Sequence, residues 1–380
     1  MSALTRPGSG VPSPGEEPYP PSRATARSRI LGSTLVRSLS LVIVVAIVLA
    51  LLSGALSSYR DLQLAYGGYF FAALAGLTVL VGLSGQVSLG HGALMAIGAY
   101  TTALLIGNEG WALVPALVAS VVTTALVGIP VGVAASRLRG PYLAGATLAL
   151  AVGLPALANR FPATFGGENG LVINPPTPPS WLGSSFSLER WEAWIALAGA
   201  LLVLFVLYNV VHSGVGRSWR AVRDDEIAAS LCGLRVGRLK TLAFVISAGC
   251  AGLGGGLLTV VNQLAAPSAF QLSLSLSLLT GVVLGGLGSL SGAVWGAALL
   301  VLLPNWTTDL SHSLSLSSNV SDNLPFAIYG VVLVAAMLVW PTGIQGGLRA
   351  AGHGLRSRRR ARSGGDRGET NRSKSGGGVQ

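Results

Sequence analysis

Ten stretches of the chain are almost continuously apolar: 39–56, 66–83, 87–107, 111–135, 141–158, 192–211, 241–262, 272–288, 292–306 and 325–341. Most approach the roughly 20 residues that carry a helix across a bilayer. A transmembrane barrel would alternate apolar and polar positions in segments of about ten residues, and these unbroken runs do not. The pattern predicts an all-α polytopic membrane protein with about ten transmembrane or re-entrant helices, eight at the fewest. Segments 272–288 and 292–306 are short, separated only by Ser289, Leu290 and Ser291. They form either two passages or one kinked span.

Charge decides between these. With the N-terminus inside and ten passages, 22 of the 25 Lys and Arg fall on inner parts; only Arg60, Arg160 and Arg190 fall outside. A single span over 272–306 would place the basic C-terminal tail outside, against the positive-inside rule. Both termini are therefore expected inside. Residues 1–38 are rich in Pro, Gly and Ser, with Arg6, Arg23, Arg27, Arg29 and Arg37. They read as a disordered basic cytoplasmic tail with no signal-peptide pattern. Residues 346–380 read as a second such tail, leaving 39–345 as the membrane domain with an inner loop at 212–240. Arg137 and Arg139 read as topology anchors.

Composition agrees. Of 380 residues, 51% are hydrophobic and 10% charged, with a mean hydropathy of +0.63. Soluble domains carry about 25% charged residues. The net charge of +11 sits in tails and one loop, so it suggests membrane lipid as a neighbour and no nucleic acid. Cys232 and Cys250 form no metal or disulfide pattern, and no metal or cofactor is expected. Among Asp, Glu, Lys and Arg only Glu192 touches an apolar segment, at its edge, which argues against an ion-coupled carrier. No GxxxxGK[ST] loop occurs, so any ATPase must be another chain. The 52 glycines permit close helix packing or broken helices around a polar path.

The most unusual apolar-region stretch is residues 82–92, Gly-Leu-Ser-Gly-Gln-Val-Ser-Leu-Gly-His-Gly. Ser84, Gln86, Ser88 and His91 sit there among four glycines. The stretch can be a capped turn, an irregular segment lining a cavity, or the GxSG of an intramembrane serine protease. Proteolysis needs a histidine from a second span; His212, His312 and His353 lie in loops or a tail, and no catalytic residue is expected.

The inner loop, residues 214–233, predicts one amphipathic helix of about four turns. Ser218 would be its N-cap and Gly233 its stop, with Trp219, Val222, Ile227 and Leu231 along one side. Such a helix can lie on the membrane or dock in a partner's groove.

Five stretches in order resemble the branched-chain amino acid permeases of ATP-driven binding-protein-dependent importers. The inner loop resembles their EAA-type coupling loop through Glu226, Ala228, Ala229 and Gly233. Residues 82–92 resemble their GLSGQVSLGHG signature. Residues 139–143, Arg-Gly-Pro-Tyr-Leu, followed by Thr147, Leu148 and Ala149, are similar to RGPYLA…TLA. Residues 164–171 resemble an outer TGGxxGL element, and 283–290 with Gly292 and Gly296 resemble VLGGLGSLxGxxxG. The Arg-Gly-Pro-Tyr-Leu stretch favours the M-type subunit.

The resemblance implies a permease subunit in a bacterial plasma membrane. It would pair with a sister permease, bind two cytoplasmic ATPases, and receive leucine, isoleucine or valine from an extracytoplasmic binding protein. Arg220, Asp225, Glu226 and Gly233 would serve coupling. Ser84, Gln86, Ser88 and His91 would line or shape the path. Gly166, Gly167 and Asn169 would form an outer turn near the binding protein. Relatives often carry an acid after the TLA stretch, where this chain has Val152 and Gly153. The alternatives are a permease for urea, short amides or another small solute, and an ATP-independent channel or facilitator.

Overall fold

A computed structural model describes residues 23–313, apart from 56, 139, 175–176 and 181–185, together with 328, 330–331, 335 and 343–347. The long helices are α1 (Arg23–Ala55), α2 (Ser58–Leu77), α3 (His91–Gly107), α4 (Leu113–Arg137) and α5 (Pro141–Arg160). A short α6 (Pro162–Phe165) precedes α7 (Leu188–His212). The inner loop holds α8 (Gly214–Asp224) and α9 (Glu226–Leu231). Then come α10 (Val236–Asn262), α11 (Leu272–Gly285) and α12 (Leu290–Ser313). The chain is an all-α polytopic membrane protein: six described helices are long and apolar enough to cross a bilayer, and α3, α11 and α12 contribute shorter apolar stretches.

α10 is the axis of the bundle. Its apolar window is 89% buried, against 28% for α4 and 22% for α5. Glycine makes this possible, because small residues let backbones approach where lipid offers no hydrophobic drive for association. A Cβ built on Gly255 would lie 1.8 Å from the Met95 carbonyl oxygen of α3. One on Gly98 would lie 2.1 Å from the Gly252 carbonyl oxygen, and one on Gly128 of α4 would lie 2.7 Å from the Ala248 Cβ. α2 joins from another side, where a Cβ on Gly254 would lie 3.0 Å from the Tyr69 carbonyl oxygen.

The connections gather at two ends. At one, β1 (Leu171–Val172) pairs antiparallel with β2 (Leu264–Ala265), Leu171 opposite Ala265. Ile173 extends the pairing by donating its amide to the Gln263 carbonyl. Phe165 stacks edge-on against Tyr100 at this end. At the other end lie α8, α9 and the α11–α12 turn, where Gly82 abuts Gly288.

Between these ends, α2 runs into a π-helical turn, Thr78–Leu83. The chain then becomes irregular and returns toward the bundle interior. His91 opens α3 with its ring bonded to the Ala73 carbonyl at 3.1 Å. Ala73 precedes Leu83 by ten residues, so His91 lies about 15 Å back along α2 at 1.5 Å per residue. α3 is short because residues 84–90 cover part of the depth without being helical. Such backbone is tolerated at membrane depth where protein buries it. Thr147 of α5 accepts the Leu89 amide at 3.0 Å, and Ser275 of α11 accepts the Gly92 amide at 3.0 Å.

Several element boundaries differ from expectation. α2 starts at Ser58, α7 at Leu188 and α10 at Val236, ahead of their apolar runs. Arg60, Asp61, Arg190 and Lys240 therefore lie within helices, and Glu192 is not the sole ionisable residue there. Pairing allows it: Asp61, fully buried, binds Arg190 at 3.3 Å, and Glu192 accepts from Gln263 at 3.1 Å. Helix α1 begins at Arg23, so 23–38, assigned above to a tail, are helical. Residues 1–22, Arg139, most of the segment 325–341 and the tail beyond 347 lie outside the described residues.

Candidate functional site

The inner loop forms two helices, where the sequence suggested one. The break is Asp225, with φ −157° and ψ 112°. Its Oδ1 accepts the amides of Ile227 at 2.8 Å and Ala228 at 3.1 Å. A carboxylate that satisfies two first-turn amides starts a new helix in preference to extending the old one. Ser213, not Ser218, caps α8, and Ser218 donates to the Gly214 carbonyl. Gly233 follows α9 with φ +82°, a left-handed stop that glycine adopts without a Cβ penalty.

The apolar side of this loop divides between two surfaces. Trp219 and Val222 of α8 are buried, and the Trp219 indole N–H donates to the Leu239 carbonyl of α10 at 2.9 Å. Ile227 and Leu231 of α9 are 70% and 84% exposed. α8 is thus anchored to the bundle, while α9 presents apolar side chains outward. Arg220 donates to the Val211 carbonyl at 3.4 Å, across the α7–α8 corner. Glu226 accepts from Lys240 Nζ at 2.5 Å, with the lysine side chain almost fully buried.

The four polar residues of the 82–92 stretch are all buried. Ser84 Oγ donates to the Leu80 carbonyl at 2.8 Å, and Gln86 Nε2 donates to Ser84 Oγ at 2.8 Å and to the Lys240 carbonyl at 3.0 Å. Ser88 Oγ accepts the Gly90 amide at 3.4 Å. Ser84 therefore pairs with a glutamine and a backbone carbonyl, and His91 with Ala73, so the two do not form a nucleophile–base pair. Gln86 Oε1 and His91 Nδ1 find no partner among the described residues. Gln86 also borders a cavity of about 320 Å³ with Gly85, Leu143, Glu226, Ile227 and Lys240.

The outer-turn residues lie together at the opposite end. Gly166, Gly167 and Gly170 have φ of +75°, +59° and +71°, and a Cβ on Gly166 would meet the Gly170 carbonyl oxygen at 2.1 Å. Asn169 is exposed on the single 3-10 turn Gly167–Asn169, beside the β1–β2 pair. Val152 is 57% exposed on α5.

The structure joins two groups that were separate in the sequence. Glu226 and Gln86 meet through Lys240, the one by its ammonium and the other by its carbonyl. Asp225 and Gly233 frame α9, while Arg220 stands apart at the α7 end. Arg223 was missed as a site residue: its Nη1 donates to the Gly82 carbonyl at 2.6 Å. Lys240 was counted only as a loop charge. Nothing in local spacing marks either contact, which span 141 and 154 positions.

The chain is 35% identical over 250 residues to the high-affinity branched-chain amino acid transport system permease protein LivM of Salmonella typhimurium, covering 60% of this chain and 58% of that protein. The Escherichia coli LivM matches equally. The Escherichia coli LivH permease is 27% identical over 293 residues, covering 73% of this chain and 92% of LivH. No solved structure matches the chain. A family model described as branched-chain amino acid transport system / permease component matches residues 61–340, a span that takes in α2 through α12 and all five signature stretches, and the chain belongs to that family.

Proposed function

We propose that this chain is the M-type permease subunit of an ATP-driven importer for branched-chain amino acids in a bacterial plasma membrane. One observation carries the reading: α8 is locked to the bundle by Trp219 while α9 holds Ile227 and Leu231 exposed. The loop is firmly attached above and apolar below, as a lever gripped by a partner must be. The ten-passage arrangement with both termini inside puts this end in the cytoplasm. Arg137, Arg217, Arg220, Arg223, Arg235, Arg238 and Lys240 then lie inside, and Arg60, Arg160 and Arg190 outside, as the positive-inside rule requires.

Two cytoplasmic ATPases would bind below, one against α9 and one below a sister permease. Asp225, Glu226 and Gly233 set the presentation of α9, and Arg220 braces the α7–α8 corner. ATP drives the cycle only if the ATPases bind outward- and inward-open states with different affinity. Ser84, Gln86, Ser88 and His91 shape the path from behind, since their side chains are turned into the bundle. Gly166, Gly167 and Asn169 form a compact turn where a substrate-binding protein would dock. The sister permease would cover α5, whose buried stripe is Leu143, Thr147, Ala151 and Ala158 and whose other face holds Tyr142, Val152 and Leu157 exposed. The family resemblance to LivM supports leucine, isoleucine and valine as substrates.

The test is purification of the tagged chain from its native membrane in mild detergent, with mass spectrometry of what accompanies it. A sister permease and two ATPases are expected. Ile227→Glu should lose the ATPases and keep the sister permease. Recovery of the chain without ATPases would overturn the reading.

A further inference from the structure

Arg223 occupies the meeting point of two glycine turns. Its Nη1 donates at 2.6 Å to the Gly82 carbonyl, at the end of the π turn. Its Nε and Nη2 both donate to Asp224 Oδ1, at 3.1 and 3.0 Å. Around its stem a Cβ on Gly85 would lie 3.0 Å from Arg223 Cγ, and one on Gly288 would lie 3.8 Å from Nη1. Gly82 and Gly288 touch each other, the Gly82 Cβ position being 2.2 Å from the Gly288 nitrogen. One side chain of the loop thus reaches the end of α2, the start of the buried segment and the α11–α12 turn. A guanidinium suits this place, because its fixed fork holds one donor on Gly82 while the others stay on Asp224. It also supplies positive charge at a helix C-terminus whose last carbonyls lack intrahelical donors.

A second tie lies beside it. Lys240 Nζ binds Glu226 of α9 and the Lys240 carbonyl accepts from Gln86. Gln86 in turn holds Ser84, which is bonded to Leu80 within the π turn. Both ties therefore end on the same element: the π turn and the irregular run that follows it. A π turn is a place where a helix changes register readily, and such turns concentrate at functional sites. The far end of that run is His91, about 15 Å further into the bundle at 1.5 Å per helical residue.

Resting on the importer reading, we propose that Arg223 and Lys240 are positioning residues that carry the displacement of α8–α9 to residues 84–90. The loop pulls on Gly82 and Gln86, the π turn yields, and the buried run moves at mid-membrane. ATP closure thereby reaches the substrate path without passing along the whole of α10.

The experiment uses the complete importer, co-expressed with its ATPases, sister permease and binding protein and reconstituted in proteoliposomes. Arg223→Ala is expected to retain the ATPases on purification and to keep basal ATP hydrolysis. Leucine uptake should fall about tenfold or more, within the usual range of a coupling energy. Arg223→Lys should recover part of the uptake, as one ammonium can reach Gly82 without the fork. Arg217→Ala, exposed on the same helix, should leave uptake unchanged. Uptake unchanged by Arg223→Ala and by Lys240→Met, in a wild-type complex that transports, overturns the inference alone. A wild-type complex that hydrolyses ATP without uptake overturns the importer reading instead. If Arg223→Ala does not assemble, spin labels on the otherwise native complex decide. Labels at Val87 and Arg217, both exposed, should keep a fixed separation on ATP trapping while both move relative to Val172. A Val87 label that stays still while Arg217 moves sinks the proposal.

Discussion

Gly255 is the point where the bundle's packing is most exposed to test. A methyl group there would sit 1.8 Å from the Met95 carbonyl oxygen, 2.6 Å from its carbon and 2.9 Å from its Cα. All three atoms are backbone, so no side-chain rotation relieves the contact. Reaching an ordinary 3.4 Å would require α3 and α10 to part by about 1.6 Å locally, and overpacking of this kind costs about 1–3 kcal/mol. Against this, alanine is favoured over glycine in a helix interior by about 0.5–1 kcal/mol. The net for Gly255→Ala is a loss of up to about 2.5 kcal/mol, with greater loss for Val. Gly153 of α5 is the matched control, since a Cβ there meets nothing within 4 Å. Gly153→Ala should therefore gain about 0.5–1 kcal/mol from helix propensity alone. The assay is the temperature at which half of the detergent-solubilised protein leaves the monodisperse chromatographic peak. Gly255→Ala should lower that midpoint and Gly153→Ala should hold or raise it. Equal midpoints, or a drop at Gly153 alone, would refute the glycine-packed axis.

Three further outcomes follow from named contacts. Trp219→Ala removes a fully buried indole and its bond to Leu239, a loss of about 3–5 kcal/mol at the α8 anchor. It should abolish ATPase recovery while the span helices keep their circular dichroism. Arg190→Ala leaves the Asp61 carboxylate buried without its cation, and the partial exposure of Arg190 limits the loss to about 2 kcal/mol; Asp61→Asn in the same background should restore part of the thermal midpoint. Gly233→Ala forces a side chain into φ +82°, which costs about 1 kcal/mol, and should increase amide exchange at the end of α9 without affecting α10.

The helices were legible because membrane spans declare themselves by apolar length. Nine of the ten apolar segments correspond to described helices, with α11 and α12 as separate helices. Helix starts were harder to read. Asp61, Arg190 and Lys240 mark a polar boundary in one dimension, yet each finds a partner in three. The loop's break at Asp225 was hidden because an aspartate in mid-pattern also fits a solvated helix face. The 84–90 run was visible as unusual, through its two glycines and three polar side chains, but its direction was not. Only the His91–Ala73 and Gly92–Ser275 bonds reveal that it turns back into the bundle. The glycine contacts of α10 were open to any partner, since close packing leaves no periodic signal of which helix approaches. Arg223 was read as one charge among several because its acceptor, a backbone carbonyl, has no sequence identity at all.

Uptake by the reconstituted importer tests the central claim most directly. Proteoliposomes holding this chain, its sister permease and both ATPases, with binding protein outside and ATP inside, should accumulate labelled leucine. Accumulation should vanish when ATP is omitted or when the ATPases are left out. Leucine flux through this chain without ATP or ATPases would contradict the account and identify a facilitator.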